Sequence, residues 1–583
     1  MSRAGARIAE LGFGQKHASP GGGEVELLVG GWIEGARGAP GFSIRVRAVS
    51  PDGREAGGCV CPVSPGGGGS FHASLRLSGA PLWWLSGLGE PALHVVEVGL
   101  DGPDGKRLDS VSRRVGLRTL ECETRADGSR ALVCNGVRVF ARGAEWGGGA
   151  AAAPELAVAA AADACFNALR LAPGAPVPPE TFFDACDEAG IAVLGAAGLG
   201  SDGDSGWDGA PGGASGDAAA DSAAAGMMLH PCLPDRPLAE PDDDTGFETA
   251  RSVVSWAAPE TLEEEVPGAL DALNGTEMVA RTALRGGPPA LAAAVLADWP
   301  MPKSPAGWTW ISQLAQAAEL RRRVAAARVS FFRNGSRAPF PETGPVPAPT
   351  GVFWAPLQSA RAGADASSLD SAGRWKALHY AAARMFAPEA VFALPGSGGA
   401  APRAVRVVDR AGAGRAVWFS WRLTAMDGET LAAGSSPVSP DFAGAGELPL
   451  PDPTPFFVRR GREDLALWLA LRDADGCVVS RDCALFVPPR ALRLQDPGLS
   501  VDCSELDGAE SERDGEQVFR VGVSAAAPAF GVFLETPGLP ALFEDSFFAL
   551  DPDETVELHV ATLRRVSGAG FRASLRVRSL FDL

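Results

Sequence analysis

From about Glu24 to Glu121 apolar and polar residues alternate, in VELLVGGWI, FSIRVRAV, FHASLRL and LHVVEVGL, with Gly, Pro and Asp-Gly turns between the runs. Successive side chains of an extended strand point to opposite faces, so this alternation predicts half-buried strands, and their spacing predicts an immunoglobulin-like β-sandwich. The pattern changes between Leu132 and Leu194, which read LVCNGVRVFARGAEW, PELAVAAAADACFNALRLAPG and PPETFFDACDEAGIAVL. Val137 to Phe140 is β-branched and apolar, the Ala-rich segment after Pro154 has helix-forming composition with Pro in its first turn, and NALRL returns as a short apolar strand. A second helix opens at Pro178-Pro179-Glu180, ends at Ala189-Gly190, and IAVL follows at once. Repeated strand-helix units with a buried strand directly behind each helix predict a parallel sheet or barrel, with Glu145, Trp146 and Arg170 at its strand ends.

Between Ala196 and Thr245 the chain is dominated by Gly, Ala, Asp and Ser, and only AAADSAAAGMML reads as a short helix. So long a structureless stretch inside a compact domain predicts a broken or partly rebuilt barrel. Regularity returns in the strand Ser252–Trp256 and in the helix Pro259–Glu265, which opens with Pro and acidic residues that suit the helix dipole. A longer helix runs through ISQLAQAAELRRRVAAAR, apolar at Ile311, Leu314, Ala318, Leu320 and Val324, with an arginine run read as a solvated helix end. The strand GVFW and the helix GRWKALHYAAARMF complete the barrel near Pro388, and two all-β segments follow. The first holds VRVV, AVWFSWRLTAM, LALWLALRDADG and CALFVPP; the second runs from LRLQ to SLRVRSLFDL. The expected fold is multidomain, α/β plus all-β: an incomplete or degenerate (β/α)8 TIM barrel flanked by immunoglobulin-like β-sandwich domains. Its parts are a sandwich over 1–121, the barrel over 122–390 with a low-complexity insert over 196–245, a sandwich over 391–490 and a C-terminal sandwich over 491–583.

At 583 residues there is room for several domains, each with its own core. The net charge of −19 argues against nucleic acid as a partner. Ten cysteines are scattered without metal spacing: Cys59-Val-Cys61 is too close for a zinc knuckle, and Cys165 and Cys186 fall on apolar helix positions. The six histidines form no cluster, so no metal and no cofactor is expected. MSRAGARIAELGFG lacks the apolar core of a signal peptide and no stretch is long enough to span a bilayer, which predicts a soluble protein with no membrane partner, cytoplasmic by default. Only Lys16, Lys106, Lys303 and Lys376 stand against many arginines, and Tyr380 is the single tyrosine, a bias of G+C-rich coding rather than of function.

CNGVRVFARGAEW, FNALRL and ETFFDACDEAGIAVL resemble the first three barrel strands of glycoside hydrolase family 2, most closely its β-mannosidase branch. The resemblance continues in the same order through PLWWLSGLGEPALHVVEVGL before them and SVVSWAAPETL, GVFWAPLQ, SSLDSAGRWKALHYAAARMFAP and FEDSFFALDPDETVEL after them. It implies retaining hydrolysis of terminal β-D-mannosides, with a β-mannoside or related oligosaccharide as ligand. In the family a sugar-binding jelly-roll domain precedes the sandwich and has no counterpart here.

Retaining glycosidases need two carboxyl groups about 5–5.5 Å apart, one as nucleophile and one as acid and then base. Aligning on Ser255 and Glu260-Thr261-Leu262 puts Thr249 and Ala250 where the family carries its Ser-Glu pair, so alanine stands at the nucleophile position. Glu248, two residues earlier, is the substitute candidate. For the acid/base, His230-Pro231-Cys232-Leu233 resembles a family motif, and Glu240 is the nearest carboxylate at the matching distance, without the preceding Asn. Glu145 stands where the family usually has Asn, before Trp146. The resemblance gives sugar contact to Trp146, Arg170 and Trp354, while Ala172 replaces an expected aromatic and Pro356-Leu357 an expected polar pair. Asp370, Trp375, Lys376 and His379 match positions that hold the fold. The expected function is a β-mannosidase-like protein with weak or no hydrolysis; the alternatives are a catalytically inactive carbohydrate-binding or scaffold relative, or a truncated gene product.

Overall fold

The computed structural model describes residues 6–35, 41–64, 69–124, 130–148, 154–196, 238–240, 247–250, 253–333, 349–396, 401–410, 412–506, 512–513, 516–552 and 554–583. They fall into two compact units: Met1–Gly148 with Ala153–Glu248 and Ser336–Phe353, and Gly149–Ala152 with Thr249–Gly335 and Trp354–Leu583.

The first unit opens with a β-sandwich. One sheet orders Arg7–His17, Val25–Glu34 and Ser70–Leu77; the other orders Glu55–Pro62, Ser43–Val49, Leu93–Asp101 and Arg107–Gly116. Burial along Ser70–Leu77 alternates residue by residue as the sequence does, and Leu27, Ile33, Ile44, Leu77, Val96 and Val98 form the dry interior. The strand Arg7–His17 pairs along the whole of Val25–Glu34 and was not legible, because Gly12 and Gly14 interrupt its alternation.

A three-stranded antiparallel hairpin follows, from Leu120–Thr124, Arg130–Cys134 and Val137–Val139. This corrects the reading of Val137 to Phe140 as a barrel strand. Asn135 and Gly136 both have positive φ (49° and 77°), so the Asn-Gly pair folds the segment back on its predecessor. The sheet strand is the next run, Ala141–Trp146, buried at every residue.

That strand belongs to a six-stranded sheet ordered Leu238–Glu240, Ala192–Ala196, Ala168–Leu171, Ala141–Trp146, Gly351–Trp354, Phe247–Ala250. The first four pair in parallel. The helices Pro154–Asp163 and Glu180–Ala189 supply the crossovers, as the sequence pattern required. Among the described residues these six strands form a row and no eight-stranded ring is closed. The strand Leu238–Glu240 lies inside the interval read as structureless, whereas the expected helix AAADSAAAGMML lies outside the described residues. Cys165 follows the first crossover helix at φ 58°, rather than sitting on it.

The second unit is built on one helix, Pro305–Arg333, which packs against Ala377–Phe386. The arginine run falls in the middle of this helix rather than at a solvated end. Arg321 pairs with Asp482, and Arg322 and Arg323 pair with Glu319. Arg328, fully buried, donates to Met385 O and Ala387 O and pairs with Asp409 at 2.6 Å. Two sheets, Glu389–Leu394/Arg403–Val408/Gly444–Leu448 and Thr430–Pro437/Trp418–Ala425/Leu465–Arg472/Val478–Leu485, form the next sandwich. The last combines Ser500–Glu505, Glu516–Ser524, Thr555–Thr562 and Ala541–Phe543 with a sheet of Phe548–Leu550, Ala529–Glu535 and Arg576–Arg578. LRLQ, read as its first strand, is irregular. No described helix is long and apolar enough to cross a membrane.

Candidate functional site

In the first unit the parallel register sets Glu145 opposite Arg170 at the ends of neighbouring strands. Arg170 Nη2 donates to Glu145 Oε1 at 2.5 Å, and the two side chains are only 10% and 7% exposed. The Arg170 guanidinium also lies 5.2 Å from the centre of the Phe353 ring. Trp146 packs on Phe182, ring centres 4.9 Å apart, and its carbonyl accepts from Ala172 N at 2.9 Å. Alanine at 172 therefore keeps the backbone bond that ends the strand and offers no ring to a ligand.

The strand ends are fixed from below. Asn167 accepts from Arg142 N at 2.9 Å and donates to Phe140 O at 3.0 Å, locking the start of one strand to its neighbour. Trp83, fully buried, donates to Asp187 O at 2.7 Å, and Arg118 lies 4.0 Å over its indole while pairing with the Asp187 carboxylate at 2.8 Å. Burial pushes the Asp187 carboxyl up to about 6 despite that guanidinium. Gly190 closes the helix Glu180–Ala189 at φ 70°, and its carbonyl accepts from Ser86 N at 2.8 Å.

In the second unit Trp354 is fully buried and stacked on Phe386, ring centres 5.8 Å apart and planes 9° apart. The strand Ser255–Trp256 is held by the long helix. Ser255 Oγ bonds Gln316 Oε1 at 2.7 Å, Trp256 N donates to Ser312 Oγ at 3.1 Å, and Gln313 Nε2 donates to Trp256 O at 3.0 Å. The buried Lys376 ammonium donates to Ser255 O at 3.1 Å and lies 3.6 Å from Asp365. Burial lowers its pKa, against the opposing pull of Asp365 and Asp370. Thr261 Oγ1 donates to Asp370 Oδ2 at 2.5 Å and accepts from Arg374 at 2.7 Å, and burial raises the Asp370 pKa. His379 Nδ1 meets Ser368 Oγ at 2.9 Å, with Trp375 edge-on to its ring. All these groups brace strands and helices against one another.

Glu240 is paired in register with Ala196, and Glu248 and Ala250 lie on Phe247–Ala250; their side chains fall outside what is described. The strands of Glu240 and Glu248 stand at opposite ends of the six-strand row, with the Glu145–Arg170 pair on two of its inner strands. Sequence reasoning named Glu145 and Arg170 separately and missed that they meet. Both close consecutive parallel strands, and that shared level was the available signal. Phe182 and Phe353, which wall Trp146 and Arg170, carry no signal beyond being apolar. Among the described residues no group of three or more His, Cys, Asp or Glu is placed to hold a metal ion.

The family described as Ig_mannosidase, an Ig-fold domain, matches residues 494–583. Over 126 residues the chain is 32% identical to β-mannosidase B of Aspergillus flavus and 29% identical to that of Aspergillus terreus. Each match covers 19% of this chain and only 14% of the relative. Among solved structures, the β-D-mannosidase of Dictyoglomus thermophilum superimposes with a TM-score of 0.74 at 15% identity, covering 98% of this chain and 76% of that one. The exo-chitosanase CsxA of Amycolatopsis orientalis gives 0.68 at 14% identity, covering 99% and 78%. At these identities the likeness to the solved structures is one of fold.

Proposed function

We propose that this chain, β-mannosidase-like in the sense of glycoside hydrolase family 2, holds a terminal β-mannoside or related oligosaccharide and hydrolyses it weakly or not at all. The observation that carries the reading is the pairing of Glu145 with Arg170, both almost wholly buried. The one candidate carboxylate whose side chain is described has its oxygen bound by a guanidinium, so it is not offered to a leaving-group oxygen. The same bond engages Arg170, the group the resemblance gives to sugar contact. Alanine at 250, the matched nucleophile position, supports the same conclusion, since a methyl group cannot attack an anomeric carbon. In this reading the parallel row is what the chain keeps of a (β/α)8 barrel. The division at 121, 390 and 490 marks its flanking sandwiches, and Trp354 enters through the resemblance alone. The family's substrate comes with the reading as β-mannoside; a silent carbohydrate-binding or scaffold role is its limiting form.

The test is hydrolysis of 4-nitrophenyl β-D-mannoside by the purified chain, with Glu248→Gln and Glu240→Gln alongside and a methyl β-mannoside titration of wild type and Trp146→Ala. The expected result is no release above the buffer blank, with saturable binding that Trp146→Ala weakens. Hydrolysis abolished by either glutamine variant would mean that a carboxylate pair has been rebuilt and would overturn the reading.

A further inference from the structure

The second unit contains an open cavity of about 450 Å³, apart from every candidate site residue named so far. Its walls come from four pieces of chain: Trp256, the turn and loop from Leu270 to Gly275, the helix Gly287–Leu296, and the segment from Pro302 into the first turns of Pro305–Arg333. We propose that it is a second, non-catalytic binding site for one neutral hexopyranose ring.

Size comes first: the volume lies within the roughly 300–1,000 Å³ over which proteins hold small molecules. The wall chemistry narrows the class. The half-buried Trp308 contributes an indole over the buried Trp256 at the floor, and a planar, apolar, polarisable surface suits the C–H face of a pyranose. Asp271, Asn274, Lys303 and Ser304 are exposed at the rim, supplying both acceptors and donors to hydroxyl groups. Among the lining side chains one ammonium stands against one carboxylate and there is no arginine, so a phosphate or a carboxylate-rich ligand meets no surplus positive charge. A purely aliphatic ligand would leave the polar rim unmatched. The walls are also fixed in advance: Trp256 is clamped at both backbone atoms by Ser312 and Gln313, as described above. Lys303 donates its ammonium to Phe581 O, lies 5.0 Å over the Phe581 ring, and bonds Leu583 O through its backbone N at 2.5 Å. A backbone and an ammonium held this way lose little freedom on binding.

This inference does not rest on the strand-end reading of the first unit. The test is a calorimetric titration of the full chain with methyl β-mannoside, and with cyclohexanol as an apolar ring of similar outline. Trp308→Ala, Trp308→Phe, Asn274→Ala and Asp271→Asn are measured beside Trp146→Ala. Asn274 and Asp271 are exposed, so their variants retain the fold, and circular dichroism of Trp308→Phe controls for the partly buried indole. The expected result is saturable sugar binding, weakened about tenfold by Trp308→Ala and roughly threefold by each rim variant. Sugar binding lost in Trp146→Ala and unchanged in all cavity variants would overturn this proposal and leave the strand-end reading standing. Binding lost only in the cavity variants would do the reverse. No sugar binding at all, or cyclohexanol binding as tightly as the sugar, would also overturn it.

Discussion

The Glu145–Arg170 pair is the residue-scale feature on which the proposed function rests. Both groups are buried and paired, so Glu145→Gln takes a carboxylate away from a guanidinium in a dry site. Breaking a buried pair from one side costs about 3–5 kcal/mol, whereas replacing both members by apolar residues of similar volume is often near neutral. Urea unfolding should therefore find Glu145→Gln less stable than the double variant Glu145→Leu/Arg170→Met; equal loss in both would show that packing, not charge, holds the strand ends. A second residue-scale prediction concerns His94, fully buried in the first sandwich, whose ring nitrogens have no hydrogen-bond partner among the described residues. Burial lowers its pKa below the ordinary 6.5, only partly offset by Asp52. The unfolded chain then takes up the proton first as pH falls, so the stability that neutral His94 allows is present above 6.5 and lost as pH falls through and below that value. Comparing the melting temperature of His94→Leu with wild type from pH 8 to 5 checks this: the variant's curve should fall less steeply. These residues were legible as types, but their pairing and solitude were not, because both depend on what lies across a strand rather than along it.

At the scale of elements, Gly190 joins local conformation to packing. It ends the helix Glu180–Ala189 in the left-handed region, and a Cβ there would sit 2.9 Å from Ser86 N and 3.0 Å from Trp84 O. Gly190→Ala meets both penalties, so it should destabilise by more than about 1 kcal/mol, read as a lowered urea midpoint with unchanged slope. An unchanged midpoint would mean that the loop around Ser86 moves aside freely. The crossover helices and the strands NALRL and IAVL were legible because their apolar runs and their Pro and Gly punctuation are local. Val137 to Phe140 was misread for a physical reason: a half-buried hairpin strand and a buried parallel strand have the same apolar composition, and the Asn-Gly turn alone separated them. The arginine run was misread because a charged stripe looks the same whether its partner is water or, as for Arg321 and Arg328, an aspartate far along the chain.

At the scale of the whole molecule, the sequence by itself determined the alternation of sandwich, strand-helix and sandwich patterns and the likeness to β-mannosidases. Each of these is a property of residue type and order. Only the tertiary structure decided that four parallel strands stand in a row of six among the described residues, that Glu145 is engaged by Arg170, and that a cavity opens beside Trp256 and Trp308. Strand order, ion pairing and empty volume are relations between segments far apart in the chain, fixed by register and packing. A residue's identity constrains which neighbours it tolerates, and the fold selects the one it has.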